Sequence, residues 1–117
     1  MNNTNSKKLV NLKRNTEFRR VYKYGYSAAD KYLVIYKLKS GSDLVRVGFT
    51  ISKKLGKAVV RNKIKRKLKE ICRLNVEKFD AGYDYVIIAR IPARECTYKQ
   101  LEYSVFNVLK KLKKNRR

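Results

Sequence analysis

Between Lys53 and Arg73 the chain carries its densest set of side chains able to engage a polyanion. Arg61, Asn62, Lys65, Arg66, Lys69 and Arg73 recur at helical spacing, so at roughly 100° per residue they share one helix face. Guanidinium and ammonium groups suit phosphate oxygens, which they bind through charge-assisted contacts that weaken as salt rises. A solubilising face mixes signs. This one is nearly free of carboxylates, and its self-repulsion costs stability unless a polyanion relieves it. The pattern points to a nucleic-acid surface. Lys63, Lys67 and Glu70 fall elsewhere on the wheel.

Other chemistry is narrowed by what is missing. The chain has no His, which excludes a Ser-His-Asp triad, a Cys-His pair and a His-based ribonuclease. Its 9 acids are scattered, whereas a two-metal nuclease needs several carboxylates converging on ions about 4 Å apart. Asp80 and Asp84 come closest, and turn or strand-edge roles suit them better. Cys72 and Cys96 lack CxxC spacing and give no zinc site. No P-loop or GxGxxG is present. The protein alone is expected to hold no metal and to carry no catalytic residue.

Aromatic residues supply a second candidate surface. Phe18, Val21 and Tyr22 stand at i, i+3 and i+4 of a short helix, and Phe18 and Tyr22 could meet Val34 and Tyr36 on one face of a strand. Such a set is either core or the wall of a cleft on which single-stranded bases stack, with Lys and Arg around it. Periodicity leaves both readings open.

The elements that must position these residues follow from pattern and punctuation. Asn15 reads as the N-cap of a helix over Thr16 to Tyr24, which Gly25 stops. Lys31 to Leu38 and Val45 to Ser52 read as strands joined by a hairpin turn at Ser40 to Asp43. The basic helix runs from about Lys57 to Phe79. Val60, Ile64, Leu68, Ile71 and Cys72 form its apolar stripe, and Asp80-Ala81-Gly82 ends it. Tyr83 to Ile91, nearly continuous in apolar residues, reads as a central strand closed by Pro92. Thr97 and Gln100 form a capping box for a last helix, whose buried stripe is Leu101, Val105, Val108 and Leu112. The sum is a single α+β domain over 13–113 with helices on a mostly antiparallel sheet. A loose basic arm (1–12) precedes it, its last residues docking on the domain, and the basic residues from Lys110 onward fray into a tail (114–117).

At 44% hydrophobic the 117 residues can form a modest core. The 31 Lys and Arg leave a net charge of +22, which calls for a polyanionic partner. A membrane surface is disfavoured: Trp is absent, the apolar stripes are committed to a core, and no apolar run approaches about 18 residues. The polar N-terminus is no signal peptide, and two Cys suit reduced thiols, so a soluble cytoplasmic protein is expected.

The stretch from Ser52-Lys53-Lys54-Leu55-Gly56-Lys57 through Ala58-Val59-Val60-Arg61-Asn62-Lys63-Ile64-Lys65-Arg66 resembles the RNR region of the protein subunit of bacterial ribonuclease P. Lys13-Arg14-Asn15 before Phe18, the Gly25-x-Ser27 step, Arg46 to Ser52, Ile88-Ala89-Arg90 and Pro92-Ala93 match that family in order and spacing, over nearly the whole chain. The resemblance implies an α-β-β-β-α-β-α sandwich like the domain of some ribosomal and translation-factor proteins, with a left-handed βαβ crossover around the basic helix. It implies a holoenzyme in which the partner RNA, with bound Mg²⁺, removes the 5′ leader of precursor tRNA by endonucleolytic cleavage. The protein's partners would be ribonuclease P RNA and precursor tRNA, with no small-molecule substrate.

Carried over by position, Lys53, Lys54, Arg61, Asn62, Lys63, Lys65, Arg66 and Lys69 would face the catalytic RNA. Phe18, Tyr22, Ser27, Val34 and Tyr36 would line a leader cleft, with Lys31 and Arg90 at its rim. Three positions depart from the common pattern: Lys57 replaces Asn, Lys63 replaces Arg, and Asp30 replaces Asn. Lys63 keeps charge but loses the planar fork, and Asp30 brings a carboxylate towards an anionic strand. An RNA-binding module such as a ribosomal protein is the alternative reading.

Overall fold

The computed structural model describes residues 7–115. A five-stranded sheet in the order β1-β4-β5-β3-β2 is its middle layer. The strands are β1 (Leu9–Asn11), β2 (Tyr26–Ala29), β3 (Leu33–Lys39), β4 (Val45–Thr50) and β5 (Tyr83–Ala89). The helices are α1 (Asn15–Tyr24), α2 (Ala58–Leu74) and α3 (Tyr98–Asn115). From α1 onward the order is α-β-β-β-α-β-α, as the family resemblance implies.

The sheet corrects two sequence expectations. It is mixed, not mostly antiparallel: β4 runs parallel to both β1 and β5, while β3 runs antiparallel to β5 and β2. And β3 and β4, though joined by a short turn, are not a hairpin, because β5 inserts between them. The near-continuous apolar run of β5 explains this. With neighbours on both edges and helices on both faces, Asp84 to Ile87 are all buried, the environment of a central strand.

Alternation along the strands splits the core in two. On one face Leu33, Ile35, Val45, Val47, Tyr85 and Ile87 pack with α2 and α3 through Ile64, Leu68, Ile71, Leu101 and Val105. On the other, α1 lays Val21 and Phe18 over Val86, Leu38 and Tyr36. The α2 stripe is as expected: Ile64, Leu68, Ile71 and Cys72 are buried, and Val60 packs against them. Burying each large apolar side chain contributes roughly 1.5–3 kcal/mol. Each like-charge neighbour on the opposite face costs only about 0.2–0.5 kcal/mol. The stripe wins, and the basic face is held outward by it.

Several boundaries shift. Helix α1 begins at Asn15, and its cap is Arg14, whose N–H donates to Glu17 Oε1 at 3.2 Å. Helix α2 stops at Leu74, and a short 3-10 turn over Val76–Lys78 leads to the buried Phe79. The last residues of the basic arm dock as an edge strand, β1, with Lys7 Nζ bonded to the carbonyls of Glu77 and Phe79; the arm's first six residues lie outside the described ones. Helix α3 opens on the expected capping box, Thr97 with Gln100, and stays helical through the basic segment to Asn115. Among the described residues no helix is long and apolar enough to cross a membrane.

Candidate RNA-binding surface

Helix α2 sets the first surface. Asn62, Lys65, Arg66 and Lys69 line a shallow basin together with Val59, which is 63% exposed. None of the three cations has a carboxylate partner among the described residues, so their charge is available to a phosphate backbone. Lys53 and Lys54 stand exposed on the 3-10 turn before α2, which the buried Leu55 anchors. No acid occupies the first turn of α2, so the positive end of the helix dipole adds to these charges.

Three residues of the stretch behave differently. Arg61 is half-buried, and its Nε donates to the carbonyl of Gly56 at 3.1 Å. It therefore braces the turn, whose glycine at φ 126° has a backbone that side chains resist. Arg73, on the same face by periodicity, is taken by Glu70 through bonds of 3.1 and 2.7 Å; the Arg73 bond holds the Glu70 carboxyl below its ordinary range. Lys63 is exposed but lines neither this basin nor the groove described next.

That groove, about 740 Å³, runs between α1 and α2. Its cations are Lys13, Arg19, Lys65 and Lys69, and its aromatic walls are Phe18, Tyr22 and Phe49. Sequence reasoning missed Arg19, Phe49, Thr50 and Val59. The only signal for Arg19 is its helical spacing from Asn15 and Tyr22, which puts all three on the side of α1 turned to α2.

The aromatic set divides between packed and exposed positions. Phe18 is a packing residue, laid on Gly48 and Leu12. Tyr22 is 36% exposed. Its ring meets Tyr36 edge-on with centroids 5.2 Å apart, and its hydroxyl bonds Thr50 Oγ1 at 2.7 Å. Val34 and Tyr36 share the α1 face of the sheet, and pairing places Ser27 beside Tyr36 and Ile88 beside Val34. Lys31 and Arg90 lie at the end of this surface, where Arg90 Nη1 donates to the Asp30 carbonyl at 2.8 Å. The candidate cleft residues thus meet on one side of the molecule, and Tyr22 belongs to both this surface and the groove facing α2.

The remaining polar groups are structural. Arg46 clamps the buried Asp84 with two bonds of 2.7 Å and reaches Glu17 at 3.0 Å. Lys37, on the β3 face that carries Leu33 and Ile35, is buried between the Tyr83 and Tyr85 rings and paired to Asp80. Asp80 and Asp84 therefore answer to different cations, and no three of His, Cys, Asp and Glu converge among the described residues. Burial pushes the Cys72 thiol up to about 12 and raises that of Cys96 as well, so neither is a ready thiolate nucleophile.

Known proteins share this architecture. The profile of the family described as Ribonuclease P matches residues 7–113. A ribonuclease P protein component of Clostridioides difficile is 50% identical over 101 residues, spanning 86% of this chain and 89% of that one. Among solved structures, the RNase P protein of Staphylococcus aureus superposes with a TM-score of 0.82 at 40% identity, covering 88% of this chain and 94% of that one. The RNase P protein of Thermotoga maritima gives 0.80 at 31% identity, with coverage of 86% and 96%.

Proposed function

We infer the function from one premise: the chain belongs to the ribonuclease P protein family. It acts as the protein subunit of ribonuclease P in maturation of the 5′ end of tRNA. In this reading the partner RNA performs the hydrolysis, and the protein binds and orients two RNA strands. The observation that carries it is the carboxylate-free basin of Asn62, Lys65, Arg66 and Lys69, beside a groove that shares Tyr22 with the aromatic sheet face.

The α2 face, with Lys53, Lys54, Arg61 and Lys63 at its margins, takes the ribonuclease P RNA. Its cations neutralise phosphates and release counterions. The sheet face takes the single-stranded leader of precursor tRNA. Tyr22 and Tyr36 offer rings to bases, Ser27 a hydroxyl, Val34 an apolar floor, and Lys31 and Arg90 charge at the rim. Phe18 supports this floor from beneath α1.

Mg²⁺ supplies the charge that stabilises attacking and leaving oxygens in phosphodiester hydrolysis. Among the described residues no three carboxylates or thiols converge into a cage for it, and Asp80 and Asp84 are already bonded to Lys37 and Arg46. The ion belongs to the RNA in this assignment. Cytoplasmic location fits the substrate and the two free, buried thiols.

The test is cleavage of precursor tRNA by a bacterial ribonuclease P RNA at low Mg²⁺, with and without this protein. Stimulation with correct 5′ ends, and no cleavage by protein alone, is the expected result. Tight RNA binding without stimulation would instead favour a plain RNA-binding module.

A further inference from the structure

Where β2 turns into β3, the half-buried Asp30 joins elements from both sides of the sheet. Its Oδ1 accepts the backbone N–H groups of Tyr32 and Leu33, each at 2.9 Å, closing an Asx turn. Its Oδ2 accepts the hydroxyl of Ser104 at 2.7 Å. Ser104 is buried on α3, in the layer opposite the aromatic face. The main chain of the same turn is fastened by cations: Arg90 Nη1 to the Asp30 carbonyl at 2.8 Å and Lys111 Nζ to the Ala29 carbonyl at 2.9 Å. The Arg90 N–H also donates to the Tyr32 carbonyl at 2.8 Å.

We propose that Asp30 and Ser104 are positioning residues for leader binding, fixing the turn that aims Arg90 and Lys31 at the phosphates of a strand crossing the sheet face. The proposal rests on the leader-cleft reading given above. Both Asp30 oxygens are turned to donors inside the fold, so the carboxylate is held behind the turn and away from the strand. Its side chain orients the peptide carbonyl that holds one guanidinium nitrogen of Arg90. Arg90 makes no ion pair among the described residues, and its other donors stay free for a phosphate. A guanidinium already restrained by one bond loses less freedom when a phosphate arrives. Removing the Asp30–Ser104 bond leaves Arg90 and Lys31 in place chemically but no longer aimed.

The experiment uses the assembled complex with a bacterial ribonuclease P RNA. Affinity is measured for precursor tRNA and for mature tRNA, and their ratio isolates the leader. Asp30→Ala and Ser104→Ala are expected to lower that ratio about three- to tenfold, the scale of one typical net hydrogen bond. Asp30→Asn should keep it within about twofold, because the amide can still accept from the turn and its NH₂ can donate to the Ser104 hydroxyl. Tyr36→Ala serves as the control for the cleft itself. If Tyr36→Ala lowers the ratio while Asp30→Ala and Ser104→Ala leave it unchanged, the positioning role is wrong. Parallel loss for both RNAs with a lowered melting temperature would reduce the pair to a purely structural bond and overturn the proposal equally. Should Tyr36→Ala also leave the ratio untouched, the cleft reading falls and takes this inference with it. If Asp30→Ala does not fold, Ser104→Ala and Asp30→Asn decide the matter.

Discussion

Phe18 rests directly on the backbone of Gly48: a methyl group added there would come within 2.4 Å of the ring Cζ and 2.7 Å of Cε2. Gly48 lies on β4, parallel to Val86 of the central strand, so the ring has sheet beneath it and cannot sink. Gly48→Ala must therefore push α1 outward or turn the ring from its rotamer, at about 1–3 kcal/mol. A lower urea midpoint is expected, with partial recovery when Phe18→Leu is added. An unchanged midpoint would mean that α1 rides outward at no cost.

Arg46 lies under the same helix. Asp84 is 1% exposed and Arg46 meets it with two bonds, so Arg46→Ala leaves a buried carboxylate without its cation. That loss is expected to cost about 3–5 kcal/mol. Glu17→Gln touches only the more open end of the network and should cost under about 1 kcal/mol. Equal effects in chemical denaturation would contradict this division.

Acid should weaken the fold. The Arg14 N–H holds the Glu17 carboxyl below its ordinary value, opposed by burial and helped by the Lys13 N–H and by Arg46. Burial raises Asp80, but the bond and charge of Lys37, with Lys113 and Lys7, more than offset it and leave this carboxyl low too. A depressed carboxyl contributes stability that is complete above its unfolded pKa, about 4. That contribution is lost as pH falls through the folded value. The urea midpoint should therefore drop between about pH 5 and pH 2, and Glu17→Gln should flatten part of the drop. A midpoint as pH-sensitive in the variant as in the parent would remove Glu17 from the account.

How much of this was legible in the sequence depended on whether the information was local. The α2 stripe and basic face were readable because a helix writes its neighbours at fixed spacing. The Thr97–Gln100 capping box was readable for the same reason. Strand partners are not local: nothing in Ser40 to Asp43 says that β5 will enter between β3 and β4. β1 and β2, of 3 and 4 residues, are too short to show alternation, and their pairing comes from the sheet edges they meet. The burial of Lys37 depends on Asp80 and two tyrosines brought from elsewhere. The same holds for Asp30. Its charge looked hostile to an RNA strand until Ser104, 74 residues away, accounted for the carboxylate.

The basic basin makes a separable prediction. Arg66 lines it without a carboxylate partner among the described residues, so Arg66→Ala should weaken ribonuclease P RNA binding. It should also lower the log–log salt slope by about 0.7–0.9, the contribution of one phosphate contact. Arg61 braces Gly56 as well, so Arg61→Ala should reduce the slope and the melting temperature together. A salt slope unchanged in Arg66→Ala would remove that residue from the phosphate interface.

Tyr36→Ala should separate leader binding from assembly. Tyr36 stands on β3, away from the residues lining the α2 basin, and is half-buried against Tyr22. Replacing it with Ala removes an aromatic pair, worth about 0.5–1.5 kcal/mol to stability, and a stacking platform, worth about 1–3 kcal/mol per base. Stability loss alone would lower affinity for every RNA once the folded fraction falls, whereas a lost platform lowers affinity only where a base would have stacked. Tyr36→Phe keeps the ring and should bind as the parent does. The expected outcome for Tyr36→Ala is therefore weaker binding of leader-bearing precursor, with mature tRNA and ribonuclease P RNA affinity preserved. Equal loss for precursor and mature tRNA would make Tyr36 a core residue, and the strand would have to cross elsewhere, with the groove between α1 and α2 as its remaining route.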